Sequence, residues 1–171
     1  GFGAANNQGI ERARGELILL LNSDAYAEPG AIDLLAKEFV NTGIVAAGGR
    51  LLNPDGSLQN SSANEQTLWA LFCEQTLLEK LVPWLKFTSP YWNTRWLKNT
   101  SPTAQVMGAC LMMRPVGRFD ERYFLYCEDT DLCKRLSKLG TIRYVPDARF
   151  THELGSSSSK DRWRSIARYN R

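Results

Sequence analysis

Three carboxylates stand within four positions at Glu128-Asp129-Thr130-Asp131. The run leads straight into Leu132-Cys133-Lys134-Arg135-Leu136, a helical pattern. Acidic residues at a helix start complement its dipole and can cap its free amides. Three of them exceed what a cap requires. Like charges this close repel, which raises the pKa of one toward the range useful to a general base. A metal or cationic partner nearby alters that balance. The chemistry on offer is therefore proton abstraction or metal binding, beside the plain capping role.

Two further places offer donor atoms. Asn22-Ser23-Asp24 ends the apolar run Glu16-Leu17-Ile18-Leu19-Leu20-Leu21. Ligands of open α/β sheets gather at the carboxyl ends of strands, and an aspartate there can bind a divalent cation through oxygen. Asn and Asp also simply start turns, and the triplet alone does not separate the two roles. His152 is the chain's only histidine. A lone histidine is more often structural than a ligand, but imidazole suits manganese and other transition ions better than magnesium. The glycines of Gly1-Phe2-Gly3-Ala4-Ala5-Asn6-Asn7-Gln8-Gly9 match neither a P-loop nor a dinucleotide fingerprint.

The elements that must position these groups alternate. Residues 4–14 read as a short helix stopped by Gly15. The run 16–21, short and bounded by turn residues, reads as a strand buried on both faces. Pro29-Gly30 opens a helix with an apolar face of Ile32, Leu34, Leu35, Phe39 and Val40. Ile44–Leu52 is a strand, Asn53-Pro54-Asp55-Gly56 a turn, and Ser57-Leu58-Gln59 the returning arm of a hairpin. Residues 65–82 read as one long amphipathic helix. Residues 83–103 break the pattern with Pro83, Pro90 and Pro102, and carry Trp84, Trp92 and Trp96. Gln105–Arg114 is a strand, Thr130–Leu139 a helix, and Thr141–Val145 a strand leading through Pro146 to His152, just past its end. The flexible run Ser156–Ser159 precedes a basic helix. This alternation indicates α/β with a mainly parallel sheet.

Composition narrows the partners. A net charge of +3 is too small to argue for nucleic acid. Arg162, Arg164, Arg168 and Arg171 read as a solvated helix face. Cys73, Cys110, Cys127 and Cys133 form no CxxC pair and read as buried free thiols of a reducing compartment. No apolar stretch approaches the ~18 residues of a membrane span.

Together the segments resemble the family 2 glycosyltransferases, in particular their bacterial rhamnosyltransferase-like branch. The matching residues are Gly1 to Ile10; Gly15-Glu16 through Leu21-Asn22-Ser23-Asp24; Leu51-Leu52-Asn53-Pro54-Asp55-Gly56-Ser57; Phe119-Asp120-Glu121 through Tyr126-Cys127-Glu128-Asp129-Thr130-Asp131-Leu132; and Val145-Pro146-Asp147-Ala148 with His152. The resemblance implies a GT-A-like (Rossmann-like) fold, a mainly parallel sheet flanked by helices. It implies a nucleotide-diphosphate sugar donor and inversion at the anomeric carbon. Asn22-Ser23-Asp24 falls on the family's DXD motif with Asn replacing the first acid, so Asp24 and His152 become the implied ligands of Mg2+ or Mn2+. Asp129 falls on the catalytic base and Glu128 on its acidic neighbour. Asn7, Asn22 and Asp24 fall on the donor side, and Gly108, Ala109 and Asp131 on the acceptor side. Close strand packing explains the small residues Gly108 and Ala109 equally well.

The implied organisation is one domain. Residues 1–60 form its donor and metal half, 61–103 a variable aromatic-rich insertion, 104–155 the acceptor and catalytic-base half, and 156–171 a loop and basic helix. The family's first βαβ portion would precede Gly1, so the chain reads as the C-terminal two-thirds of a catalytic domain, truncated at its N-terminus and weakly active or inactive alone. The favoured donor is dTDP-rhamnose, with a UDP-hexose or UDP-galactofuranose as the alternative. The acceptor implied is a glycan or lipid-linked glycan of cell-surface polysaccharide synthesis. That places the protein in the cytoplasm, with peripheral contact at the inner face of the membrane through Trp84, Phe87, Tyr91, Trp92 and Trp96. The same aromatics suit sugar stacking, core packing or subunit contact in a homo-oligomer. A reading of another class is a non-catalytic sugar-binding or interaction fragment.

Overall fold

The computed structural model describes residues 1–82, 84–124 and 127–153. The serine run, the basic helix with Arg162, Arg164, Arg168 and Arg171, and residues Pro83 and Tyr126 lie outside the described residues. In chain order the elements are α1 (Phe2–Arg12), β1 (Ile18–Leu21), β2 (Ala25–Ala27), α2 (Ala31–Glu38), β3 (Ile44–Leu52), β4 (Ser62–Ala63), α3 (Leu68–Gln75), α4 (Leu78–Leu81), β5 (Ser101–Pro102), β6 (Gln105–Val106), β7 (Cys110–Met113), α5 (Glu128–Leu136) and β8 (Thr141–His152).

The main sheet has the order β1-β7-β3-β8-β2, with β5 paired to β8. β3 and β8 are parallel, and β7 runs antiparallel to both β1 and β3, so β1, β3 and β8 share one direction. Strand side chains alternate between faces, and each face here builds its own core. Ile18, Leu20, Leu111 and Met113 pack with Leu132 and Leu136 of α5, while Phe2 and Ile10 of α1 flank that cluster. Cys110 and Met112 pack on the other face with Ala31, Leu35 and Phe39 from the α2 region. The chain is thus an α/β sandwich with helices on both sides of a mixed sheet.

β3 is the crowded strand. A Cβ at Gly49 would lie 2.5 Å from the Phe150 ring and 2.6 Å from the Ala148 carbonyl oxygen. Gly49→Ala is expected to cost about 1–3 kcal/mol through overpacking. Urea unfolding reads this as a lower midpoint, and an unchanged midpoint contradicts it.

Several expectations need correction. The single helix over 65–82 is two short ones. The Thr76 hydroxyl donates to the Phe72 carbonyl at 2.7 Å, and Leu77 then adopts a left-handed φ of 56°, which ends α3. The face expected to be buried is largely bare, with Leu68 86% and Phe72 52% exposed. The strand over 105–114 is interrupted: β6 pairs with β4 in a separate two-stranded sheet, while β7 joins the main one. A turn closed by the Cys110 amide donating to the Met107 carbonyl separates them. β8 does not stop at Val145. A register shift between Gly49 and Arg50 of β3 absorbs Pro146, since a proline cannot donate to a ladder but fits a bulge. His152 is therefore the last residue of a strand. Ile32 and Val40 are exposed instead of facing the core, and Cys127, unlike the other three cysteines, is exposed.

Candidate functional site

β1 ends at Leu21, and the chain turns at once, the Ala25 amide donating to the Asn22 carbonyl at 3.0 Å. It returns as β2, which pairs Ala25 with His152 of β8. This antiparallel pairing sets the Asn22–Asp24 turn against the end of β8. His152 Nε2 lies 3.4 Å from Asp24 Oδ1 and 3.3 Å from Asn22 Nδ2, and the Glu153 amide donates to the Asp24 carbonyl. The other ring nitrogen, Nδ1, lies 3.0 Å from Gln59 Oε1. An imidazole nitrogen and a carboxylate oxygen converging in this way form a donor set that fits a divalent transition ion. Among the described residues no group of three or more His, Cys, Asp or Glu side chains gathers around such an ion.

The second cluster is the start of α5. Its N-cap, Cys127, takes a left-handed φ of 63°. Asp129 Oδ2 accepts from the Gly108 amide at 3.2 Å, and Oδ1 from the Thr130 amide at 2.9 Å. Burial pushes the Asp129 pKa above its ordinary value, and these amide donors pull it back only in part. Glu128 is 7% exposed, and its Oε2 has no hydrogen-bond partner among the described residues. Burial raises its pKa as well, with the Asp129 charge a smaller contribution. Desolvation is thus what chiefly shifts both groups, with repulsion a smaller addition at Glu128.

A cleft of about 590 Å³ joins the clusters. It is lined by Asn22, Gly108, Ala109, Glu128, Asp129 and His152, and also by Phe2, Tyr91, Trp92, Gln105 and Thr130. Asp24 is not among its lining residues but lies behind the cleft wall at 3.4 Å from His152 Nε2. At Gly108 an added Cβ would meet the Phe2 ring at 3.4 Å and Asp129 Cβ at 3.5 Å, ordinary contacts. Strand packing therefore does not demand a glycine there.

Asn7 and Asp131 are not among the residues that line this cleft. The Asn7 amide donates to the Phe119 carbonyl and to Glu121 Oε1, and its oxygen accepts from the Phe119 amide, pinning α1 to the loop before α5. Asp131 pairs with Arg135 at 2.7 Å, one turn along the same helix. Sequence reasoning missed Gln59, Gln105 and Thr130, whose only signal was proximity to a turn, a strand and a helix cap. Tyr91 and Trp92 were flagged only as members of an aromatic stretch. They now separate from Trp84 and Phe87, which are 70% and 69% exposed.

This fold and cleft have recognisable relatives. Along 90% of its length the chain superimposes on 30% of the crystal structure of GalNAc-T7 with UDP, GalNAc and Mn2+, with a TM-score of 0.60 at 14% identity, a likeness of fold. It is 33% identical over 153 residues to the N-acetylglucosaminyl-diphospho-decaprenol L-rhamnosyltransferase of Mycobacterium tuberculosis, covering 84% of this chain and 49% of that protein. It is 28% identical over 189 residues to the O-antigen biosynthesis protein RfbC of Myxococcus xanthus, covering 98% of this chain and 14% of that one. The chain thus spans about half the length of the mycobacterial relative. The family model described as glycosyl transferase family 2 matches residues 1–106, more than half of the sequence, and with the GT-A sheet and cleft already in place this chain belongs to glycosyl transferase family 2.

Proposed function

We propose that the cleft transfers a sugar, with inversion, from a nucleotide-diphosphate sugar to an acceptor hydroxyl, and that the donor is dTDP-rhamnose. The observation that carries this is the position of Asp129: a half-buried carboxylate of raised pKa lining the same cleft as His152. The rhamnosyltransferase relative, whose name specifies a lipid-diphosphate-linked sugar, supports rhamnose and a lipid-linked glycan acceptor of cell-surface polysaccharide synthesis.

In this mechanism Asp129 holds the acceptor hydroxyl by a hydrogen bond and takes its proton as the oxygen attacks the anomeric carbon. The nucleoside diphosphate departs from the opposite face, so one displacement inverts the configuration. The Gly108 and Thr130 amides keep the carboxylate oriented for this step. Tyr91 and Trp92, edge-to-face at 4.8 Å, offer apolar ring surface to a sugar. Asp24 and His152 would hold Mg2+ or Mn2+, which when bound supplies positive charge to offset the negative charge developing on the diphosphate. Transfer assays with the protein and a panel of nucleotide sugars test the donor. Preference for a UDP-hexose or UDP-galactofuranose would overturn the rhamnose assignment.

The same reading places the protein in the cytoplasm at the inner membrane face. No helix among the described residues is long and apolar enough to cross a membrane. Leu68, Phe72, Leu81, Trp84 and Phe87 are all more than half exposed, and Trp69 stacks on Phe72 and lies tilted against Phe87. An apolar surface of this kind suits a lipid interface, and Leu71 and Glu74 of α3 continue it into the cleft. The protein is expected to float with anionic liposomes at low salt and to lose most of that binding in a Trp84→Ser, Phe87→Ser double variant. Absence of flotation at low salt rules against the membrane contact.

A further inference from the structure

The hairpin arm that closes on Gln59 has so far only a turn-forming role, yet Gln59 is buried and its side chain makes three close polar contacts at the site, beside a longer one of 3.5 Å from Nε2 to the Leu52 carbonyl. Its Nε2 donates to the His152 carbonyl at 2.6 Å and to Asn53 Oδ1 at 2.7 Å. Its Oε1 faces His152 Nδ1 at 3.0 Å. Asn53 is in turn fixed, its Nδ2 donating to Ser57 Oγ at 2.7 Å and its backbone amide to the Ser57 carbonyl at 2.8 Å.

These bonds have a direction. Two carbonyl-type oxygens can only accept, so the Gln59 nitrogen must face them and its oxygen must face the ring. An amide oxygen only accepts, so Nδ1 must carry the proton. A neutral imidazole with its proton on Nδ1 has its lone pair on Nε2. That lone pair lies 3.3 Å from the Asn22 amide nitrogen, which can donate to it, and 3.4 Å from an Asp24 oxygen, which without a proton between them cannot.

We propose that Gln59, anchored by the Asn53–Ser57 turn, is a positioning residue that locks His152 in the Nδ1–H tautomer and so keeps Nε2 open, beside Asp24, to ligate a divalent cation. The metal part rests on the ligand roles proposed above for Asp24 and His152. The turn Asn53-Pro54-Asp55-Gly56 then has a second purpose. It fixes the register of Gln59, whose backbone amide donates to the Leu51 carbonyl at 3.0 Å.

The chain's single histidine makes the test direct. Long-range 1H–15N correlation spectra of the full chain labelled with [15N]histidine, recorded at pH 8, report which ring nitrogen carries the proton. The wild type is expected to show Nδ1 protonated and Nε2 bare. Gln59→Leu is expected to shift the ring toward the Nε2–H form and to weaken binding of free Mn2+, read by electron paramagnetic resonance, about 10–100-fold. Gln59→Glu keeps an acceptor against Nδ1 but loses the bonds that Nε2 donates to the His152 carbonyl and to Asn53, so it is expected to keep the Nδ1–H tautomer while lowering the melting temperature, a split that a merely structural role for Gln59 would not give. An Nε2–H wild type, or a Gln59→Leu protein with wild-type tautomer and affinity, overturns the proposal. If Gln59→Leu does not fold, the wild-type spectrum still decides it: an Nε2–H ring overturns the proposal. A wild type with the expected tautomer that binds no Mn2+ overturns it through its premise, and identifies the ligand roles of Asp24 and His152 as the point of failure.

Discussion

Replacing Asp129 with asparagine is expected to lower the rate of sugar transfer about 10²–10⁴-fold, the usual contribution of a positioned general base, with little change in KM. The fold should survive. Asparagine is nearly isosteric, and its oxygen can still accept from the Gly108 or the Thr130 amide. Burial already disfavours the ionised carboxylate, so at neutral pH a neutral side chain relieves a desolvation penalty. The sign follows from the raised pKa: the carboxyl group contributes most to stability when protonated, at low pH, and that contribution is lost as the pH rises through its folded-state value. The variant should therefore melt at the wild-type temperature or above it at pH 7. Undiminished transfer, or lost transfer accompanied by lost structure, would contradict this account of Asp129.

His152→Ala is expected to be the second large effect. Removing one of the two ligands proposed above should weaken Mn2+ binding and reduce transfer by ~2–4 kcal/mol of barrier, about 30- to 10³-fold. Raised Mn2+ should recover part of the loss, because Asp24 remains. This pattern distinguishes a ligand from a core histidine. His152 is 6% exposed, so a purely structural role would appear as a lower melting temperature that no metal concentration rescues. Saturating-metal kinetics together with a melting curve separate the two outcomes.

The sequence disclosed the groups and not their assembly. Glu128-Asp129 at a helix start, Asn22-Ser23-Asp24 at a strand end, and the alternation of elements were all legible, because acidic clusters, turn residues and short apolar runs carry local signals. β2 was not legible. Ala25-Tyr26-Ala27 is three residues long and has no strand signature, yet its pairing with β8 sets Asp24 against His152. Only a long-range ladder could reveal that contact. The long helix over 65–82 failed for the converse reason: its apolar periodicity was real, but the residues carrying it face outward, and periodicity does not say what covers a face. Gln59 was invisible because a buried glutamine contributes through which partners it meets, and these are Asn53 in the turn and the carbonyl and ring of His152 at the far end of the chain's last strand.

The pH dependence of kcat/KM for sugar transfer by the protein tests Asp129 as the base most directly. The raised pKa of Asp129 means that activity should fall as the pH drops through a single-proton acid limb lying above the ordinary aspartate value of about 3.9. The residual transfer of Asp129→Asn should lack that limb. An acid limb at the ordinary carboxylate value, or one that persists unchanged in Asp129→Asn, would show that another group takes the proton.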